Sequence, residues 1–187
     1  MMSLSIELDL RKSSDGVLYC YHGTLFQYFF MLRFPMRFSR IRQRYGVDRL
    51  SDILDTIPER KSIFLDMKDM AITRDDVLDA FRAKKFKEVI IGNRSVRFLR
   101  RFDPLPPLFS KILNGNILCG FYDLEKLAAK GFRYYEPVFP FQTDMDTVAR
   151  ARALGLECWM SGILFSKESY WRKIRASGIT HVSSDFI

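Results

Sequence analysis

The chain has 187 residues, 48% hydrophobic and 28% charged, a balance that excludes a disordered chain and fits one globular domain over residues 1–187. Its 30 lysines and arginines exceed 22 acids to leave a formal charge of +8, which points to an anionic partner: a phosphate-bearing substrate, a membrane surface or nucleic acid. Three widely spaced cysteines (Cys20, Cys119 and Cys158) with no Cys-x-x-Cys pair exclude a disulfide framework or a zinc ribbon and fit a reducing compartment.

Taken in order, Ser5-Ile6-Glu7-Leu8-Asp9-Leu10 reads as a strand with Ile6, Leu8 and Leu10 on one face and Glu7 and Asp9 on the other. Ser13-Ser14-Asp15-Gly16 is a turn signal, and Val17 to Tyr21 reads as a returning strand that delivers His22. A short helix follows from Arg49 to Thr56, with Ser51 as its expected cap. From Ile63 onward strands and helices alternate. Strands are expected at 63–68, 88–92, 117–121, 134–137, 156–160 and 179–184. Helices are expected at 74–84 (capped by Thr73), 95–102, 123–130, 145–154 and 167–176. This rhythm argues for βα units and a parallel sheet. Seven sheet strands are counted, one fewer than a (β/α)8 barrel needs, so either the sheet is open or the first βα unit is missing or replaced.

Ser62-Ile63-Phe64-Leu65-Asp66-Met67-Lys68 repeats the pattern of the first strand, with Phe64, Asp66 and Lys68 opposite the apolar face. In a barrel the inward faces converge near the C-terminal strand ends, so Glu7, Asp9 and Asp66 are expected to hold one divalent cation. Oxygen-only ligands suit Mg2+ or Ca2+. Lys68 then steadies the cluster or meets a substrate phosphate. The plainer alternative is a buried carboxylate–lysine network without metal. His22, at the end of the hairpin, is the candidate general acid or base. His181 has no carboxylate motif around it and reads as structural.

Together these segments resemble the glycerophosphodiester phosphodiesterase family. Glu7-Leu8-Asp9, Ser13-Ser14-Asp15-Gly16-Val17 and His22 are similar to its Glu-x-Asp, Lys-Asp-Gly-type turn and strand ending in His. Asp66-Met67-Lys68 resembles its Glu-x-Lys motif in the Asp form of the sphingomyelinase D-like enzymes. Gly155 to Trp159 and Gly178 to Asp185 resemble its closing segments. The resemblance implies an α/β fold, a TIM-type (β/α)8 barrel that here is incomplete and lacks its first strand. It implies metal-dependent hydrolysis of glycerophosphodiesters or lysophospholipid-like substrates. Glu7, Asp9 and Asp66 are then metal ligands, His22 and Lys68 catalytic, and Trp159 substrate-binding. The family's His-Arg-Gly strand and one of its two histidines have no counterpart, and Gly23 stands where it usually has Asp. Three explanations rank in this order: a gene start further upstream, a pseudoenzyme, or altered acid–base chemistry.

Residues 26–45 lie outside the resemblance. Seven aromatics alternate there with five arginines and no acid, which suits peripheral membrane contact through Phe26, Phe30, Arg33, Phe34 and Arg37. A basic-aromatic nucleic-acid surface or a plain barrel cap reads the same way, but no nucleic-acid motif accompanies the charge, so no nucleic-acid partner is expected. Arg94, Arg97, Arg100 and Arg101 form a second basic patch, read as a solvated helix face. The runner-up reading is a catalytically silent barrel that binds phospholipid headgroups or anionic membranes. No apolar run approaches the ~20 residues of a membrane span. The Met-Met-Ser start has no signal-peptide pattern, so a cytoplasmic protein is expected.

Overall fold

The computed structural model describes residues 3–23, 35–114, 123–136, 145–161, 176, 179 and 181–185. Strand β1 (Ser3–Lys12) turns at Gly16, whose φ of 83° suits glycine, into the short antiparallel β2 (Leu18–Cys20). Helices α1 (Phe38–Tyr45) and α2 (Leu50–Thr56) follow. Then come β3 (Ser62–Met67), α3 (Arg74–Phe81), β4 (Glu88–Asn93) and α4 (Val96–Leu99), which runs into a 3-10 turn (Arg100–Phe102). The chain continues through β5 (Phe109–Leu113), α5 (Leu124–Ala129), β6 (Tyr134–Tyr135), α6 (Met145–Ala153), β7 (Glu157–Ser161) and β8 (His181–Asp185).

Among the described residues seven strands, β1 and β3 to β8, run parallel and in sequence order. The barrel is one strand short of eight, as expected, yet the ring closes. β8 pairs directly with Ser3 to Glu7 of β1, and the antiparallel β2 takes the same edge further up, at Leu10 to Lys12. One edge of β1 is thus divided between the closing strand below and the hairpin arm above.

The alternation read from the sequence sets the two sides of this wall. Leu8, Leu10, Ile63, Leu65, Met67, Val89 and Ile91 point outward, into a core shared with Leu50, Leu54, Val77, Phe81, Phe98 and Leu99 of the helices. The opposite faces contribute Phe64, Ile90, Ile112, Tyr134 and Trp159, which fill the barrel interior. Thr73 caps α3 as expected: its hydroxyl accepts from the Asp76 N–H, and the Asp76 carboxylate accepts in return from the Thr73 N–H at 2.7 Å.

Three expectations need correction or fall outside view. The strand between β4 and β6 is Phe109–Leu113, which the sequence reading did not expect, and the strand expected at 117–121 falls outside the described residues. The apolar rhythm hid the observed strand because Lys111 occupies the outward face between Phe109 and Leu113. That lysine is buried beneath the helices, paired with Asp103 at 2.8 Å and set over the Phe132 ring. Ser51 does not cap α2; Arg49 holds that position, its backbone fixed by a bridge to Tyr19, and the Ser51 hydroxyl bonds Asp52. Cys119 and the contact residues Phe26, Phe30, Arg33 and Phe34 lie outside the described residues, while Arg37 is exposed at the start of α1.

Candidate active site

The parallel register of β1 and β3 sets Asp9 beside Asp66 and Glu7 beside Phe64. The ligand atoms of Glu7, Asp9 and Asp66 lie within 4.8 Å of one another, as expected. Two carboxylates side by side in a sheet repel each other unless a positive charge intervenes. Lys68, two residues beyond Asp66 on the same face, supplies it: its ammonium bonds an Asp66 oxygen and lies 3.3 Å from Asp9 Oδ1. Burial pushes the Asp9 carboxyl above the usual range; Lys68 and His22 oppose that push, and Asp66 adds to it. Burial alone would lower the Lys68 ammonium, but the two carboxylates outweigh it and raise its pKa.

β2 brings His22 to the same place. The Tyr21 N–H donates to the Asp9 carbonyl at 3.0 Å, and Arg11 Nε donates to the Tyr21 carbonyl at 3.1 Å. Both backbone groups of the residue before His22 are therefore held by β1. His22 Nε2 ends 3.9 Å from Asp9 Oδ2, with 70% of its side chain exposed while Asp9 keeps only 8%. These groups border a cavity of about 470 Å³ together with Arg11, Met67, Met70, Asn93 and Arg94. It opens at the C-terminal ends of β1, β3 and β4, the end at which barrels of this kind carry their sites.

In the search of solved structures the chain superposes on several barrels. A glycerophosphodiester phosphodiesterase from Agrobacterium tumefaciens matches with a TM-score of 0.71 at 20% identity, covering 96% of this chain and 83% of that one. A protein from Galdieria sulphuraria assigned the same activity gives 0.78 at 15% identity, over 96% and 81%. A phosphodiesterase from Oleispira antarctica, solved with its product sn-glycerol-3-phosphate, gives 0.70 at 14% identity, over 96% and 80%. The chain has the glycerophosphodiester phosphodiesterase fold. No family model matches it, and no curated protein matches it in sequence.

In this phosphodiesterase fold the acidic layer sits on the packed layer of Phe64, Ile90, Ile112, Tyr134 and Trp159. Trp159, expected at the substrate, is in that lower layer. It is 1% exposed, its ring lies 5.7 Å from that of Phe64 and 5.4 Å from that of Tyr134, and it stacks on His181 at 5.4 Å. It borders a separate opening at the other end of the barrel with Glu88, Arg133 and His181, and does not line the acidic cavity. Its strand continues to Ser161, so Trp159 is a mid-strand interior residue and not a strand end. His181 pairs with Glu157 there, so the chain's two histidines occupy opposite ends of the barrel.

Two participants have no motif in the sequence. Asn114, just past β5, donates from Nδ2 to Asp66 Oδ1 at 2.9 Å. It reaches across β4 because Gly92 stands between: a Cβ at Gly92 would lie 2.3 Å from Phe64 Cε2 and 2.6 Å from Asn114 Oδ1. The signal that could have exposed this is a lone glycine inside an otherwise apolar strand, which marks a close approach. Arg11, 3% exposed, is the other; it shares the face of Glu7 and Asp9 and was hidden by the turn that follows it.

Proposed function

We propose that the chain is a phosphodiester hydrolase of the glycerophosphodiester phosphodiesterase family, dependent on one divalent cation. Its substrates in this reading are glycerophosphodiesters or lysophospholipid-like molecules. The observation that carries the proposal is the cluster of Glu7, Asp9 and Asp66, of which Asp9 and Asp66 line one cavity with Lys68 and His22, in a fold shared with enzymes of that activity.

The residues suit the cation. Three buried or half-buried carboxylates within 4.8 Å form an oxygen-only donor set, the chemistry Mg2+ and Ca2+ favour. Glu7, Asp9 and Asp66 would hold the ion, which when bound supplies charge to stabilise negative oxygens at phosphorus. Asn114 orients Asp66. Lys68 adds a point charge at the cavity floor, and Arg11 and Arg94 make the wall cationic, suited to a phosphate anion. His22, exposed to the cavity beside Asp9, is positioned to give or take the proton at the substrate oxygens.

The test is a choline- or glycerol-release assay with Mg2+ or Ca2+, alongside calorimetric cation binding. His22→Ala is expected to cut turnover by about 10²- to 10⁴-fold while cation binding persists. Asp9→Asn is expected to lose both. Turnover unaffected by either change would remove the assignment. A second reading, a silent barrel that binds phospholipid headgroups, draws on the position of His181 at the far end, which leaves His22 as the chain's one histidine at the cavity. Cation binding without turnover of any phosphodiester would select it.

A further inference from the structure

We propose that the rim of the acidic cavity, formed by Met70 with Arg94, Arg97 and Arg101, docks on an anionic phospholipid bilayer. The docking turns the cavity mouth toward the headgroup plane. What then enters the cavity rests on the phosphodiesterase reading; the docking itself does not.

Among the described residues Met70 is the one large apolar side chain that stands in solvent, 57% exposed. A single exposed methionine is ordinary on a protein surface. Its surroundings are what make it informative. It lies in the loop after β3, two residues beyond Lys68, and borders the cavity together with Arg94. Arg101 Nη1 donates to the Met70 carbonyl at 2.9 Å, which ties this loop to the end of α4, and the Arg101 guanidinium also lies 5.3 Å from the centre of the Phe98 ring.

Arg94 stands in the bend just before α4, Arg97 within that single turn and Arg101 in the 3-10 turn that follows, so one short segment carries all three. All three are exposed, as is Arg100, and no acidic residue lies between 94 and 102. The next acid, Asp103, is engaged by Lys111 at 2.8 Å. Arg94, at one end of this segment, borders the cavity, and Arg101, at the other, is bonded to Met70.

An exposed apolar side chain beside guanidiniums is the combination that seats a protein on an anionic interface, with the apolar group in the acyl boundary and the charges among the headgroups. A nucleic acid or a soluble polyanion would use the arginines and be indifferent to the methionine. Met70 therefore separates the membrane from other polyanions. Because Met70 and Arg94 also line the cavity, a bilayer in contact with them lies directly over its mouth.

The test is co-sedimentation of the full chain with vesicles, in a chelator so that hydrolysis plays no part. Vesicles of phosphatidylcholine with about a third phosphatidylserine are compared with pure phosphatidylcholine. Preferential binding to the anionic vesicles is expected, weakening as salt rises from about 0.1 M to about 0.5 M. Met70→Ser is expected to weaken it about tenfold, and Arg97→Ala or Arg101→Ala about fivefold each. Asp9→Asn is expected to bind vesicles like the parent. Met70, Arg97 and Arg101 are on the surface, and unchanged circular dichroism and urea midpoints establish that the variants are folded.

Equal binding to neutral and anionic vesicles would overturn the proposal. So would a Met70→Ser protein that binds as the parent while the arginine variants do not, which would mark a general polyanion surface. Vesicle binding by a protein without phosphodiesterase turnover upholds the docking and removes the hydrolase; turnover without vesicle binding does the reverse.

Discussion

Gly92 and Asn114 decide the geometry around Asp66. The absent side chain at Gly92 leaves room for the Phe64 ring beneath and for the Asn114 amide to reach Asp66 Oδ1 at 2.9 Å. Gly92→Ala is expected to destabilise the fold by about 1–3 kcal/mol, the usual cost of overpacking, because the Phe64 ring is 1% exposed and its neighbours in the interior layer leave it little room to yield. Asn114→Ala is expected to leave stability closer to the parent but to weaken cation binding by about 10- to 100-fold, as loss of a group that orients a ligand does. Urea unfolding and calorimetric cation titration of both variants check this contrast. If Asn114→Ala binds cation like the parent, the amide has no part in holding Asp66 for the ion.

At the scale of elements, β1 and the loop after β3 work together. Lys12, the last residue of β1, donates its N–H to Asp69 at 3.0 Å and its ammonium to Asp76 at 2.7 Å. The same Asp76 completes the cap of α3. The loop carrying Lys68 and Met70 is thereby pinned between β1 and the start of a helix. Burial works to raise the Asp76 carboxyl, but the bonds from Lys12 and Thr73 outweigh it and hold its pKa below the ordinary value. A depressed folded pKa means the folded state takes up this proton less readily than the unfolded one. The stability it confers is therefore present above the unfolded pKa of about 3.9 and is lost as pH falls through the folded value. Asp76→Asn is expected to cost about 1–2 kcal/mol at neutral pH, with the difference from the parent closing in acid. Urea unfolding across pH 3 to 7 (about the range that spans the transition) measures it; a difference independent of pH would assign the loss to packing and not to charge.

For the whole molecule, the divided edge of β1 is the point where the barrel is joined. β8 closes the ring along the lower half of that edge, up to Glu7, while β2 takes the upper half and its hairpin brings His22 beside Asp9. The proposed cation ligands come from β1 and β3, neighbouring strands whose pairing runs the full length of β3. An ion bound there favours the folded chain over the unfolded one by about 2.7 kcal/mol when present at about a hundred times its dissociation constant. Thermal unfolding with Mg2+, with Ca2+ and with chelator is expected to show a midpoint raised by at least one of the two ions. The rise is expected to vanish in Asp9→Asn. A midpoint indifferent to both ions in the parent would speak against the cation.

The sequence by itself determined the strands that face two ways. Glu7, Asp9, Asp66 and Lys68 stood out because period-two alternation places charge opposite Ile6, Leu8, Ile63 and Leu65, a local property of the chain. The turn at Gly16 and the cap at Thr73 were legible for the same reason, since each depends on residues within a few positions of one another. Only the tertiary structure decided what depended on partners far along the chain. Lys111 became a buried outward residue because Asp103 and Phe132 receive it. Trp159 sank into the interior because its strand runs on past it and His181 stacks against it. Asn114 joined Asp66 from 48 residues away because Gly92 leaves the way open. Side-chain alternation is written in the order of residues, whereas a contact across a barrel exists only once the sheet has curved and closed.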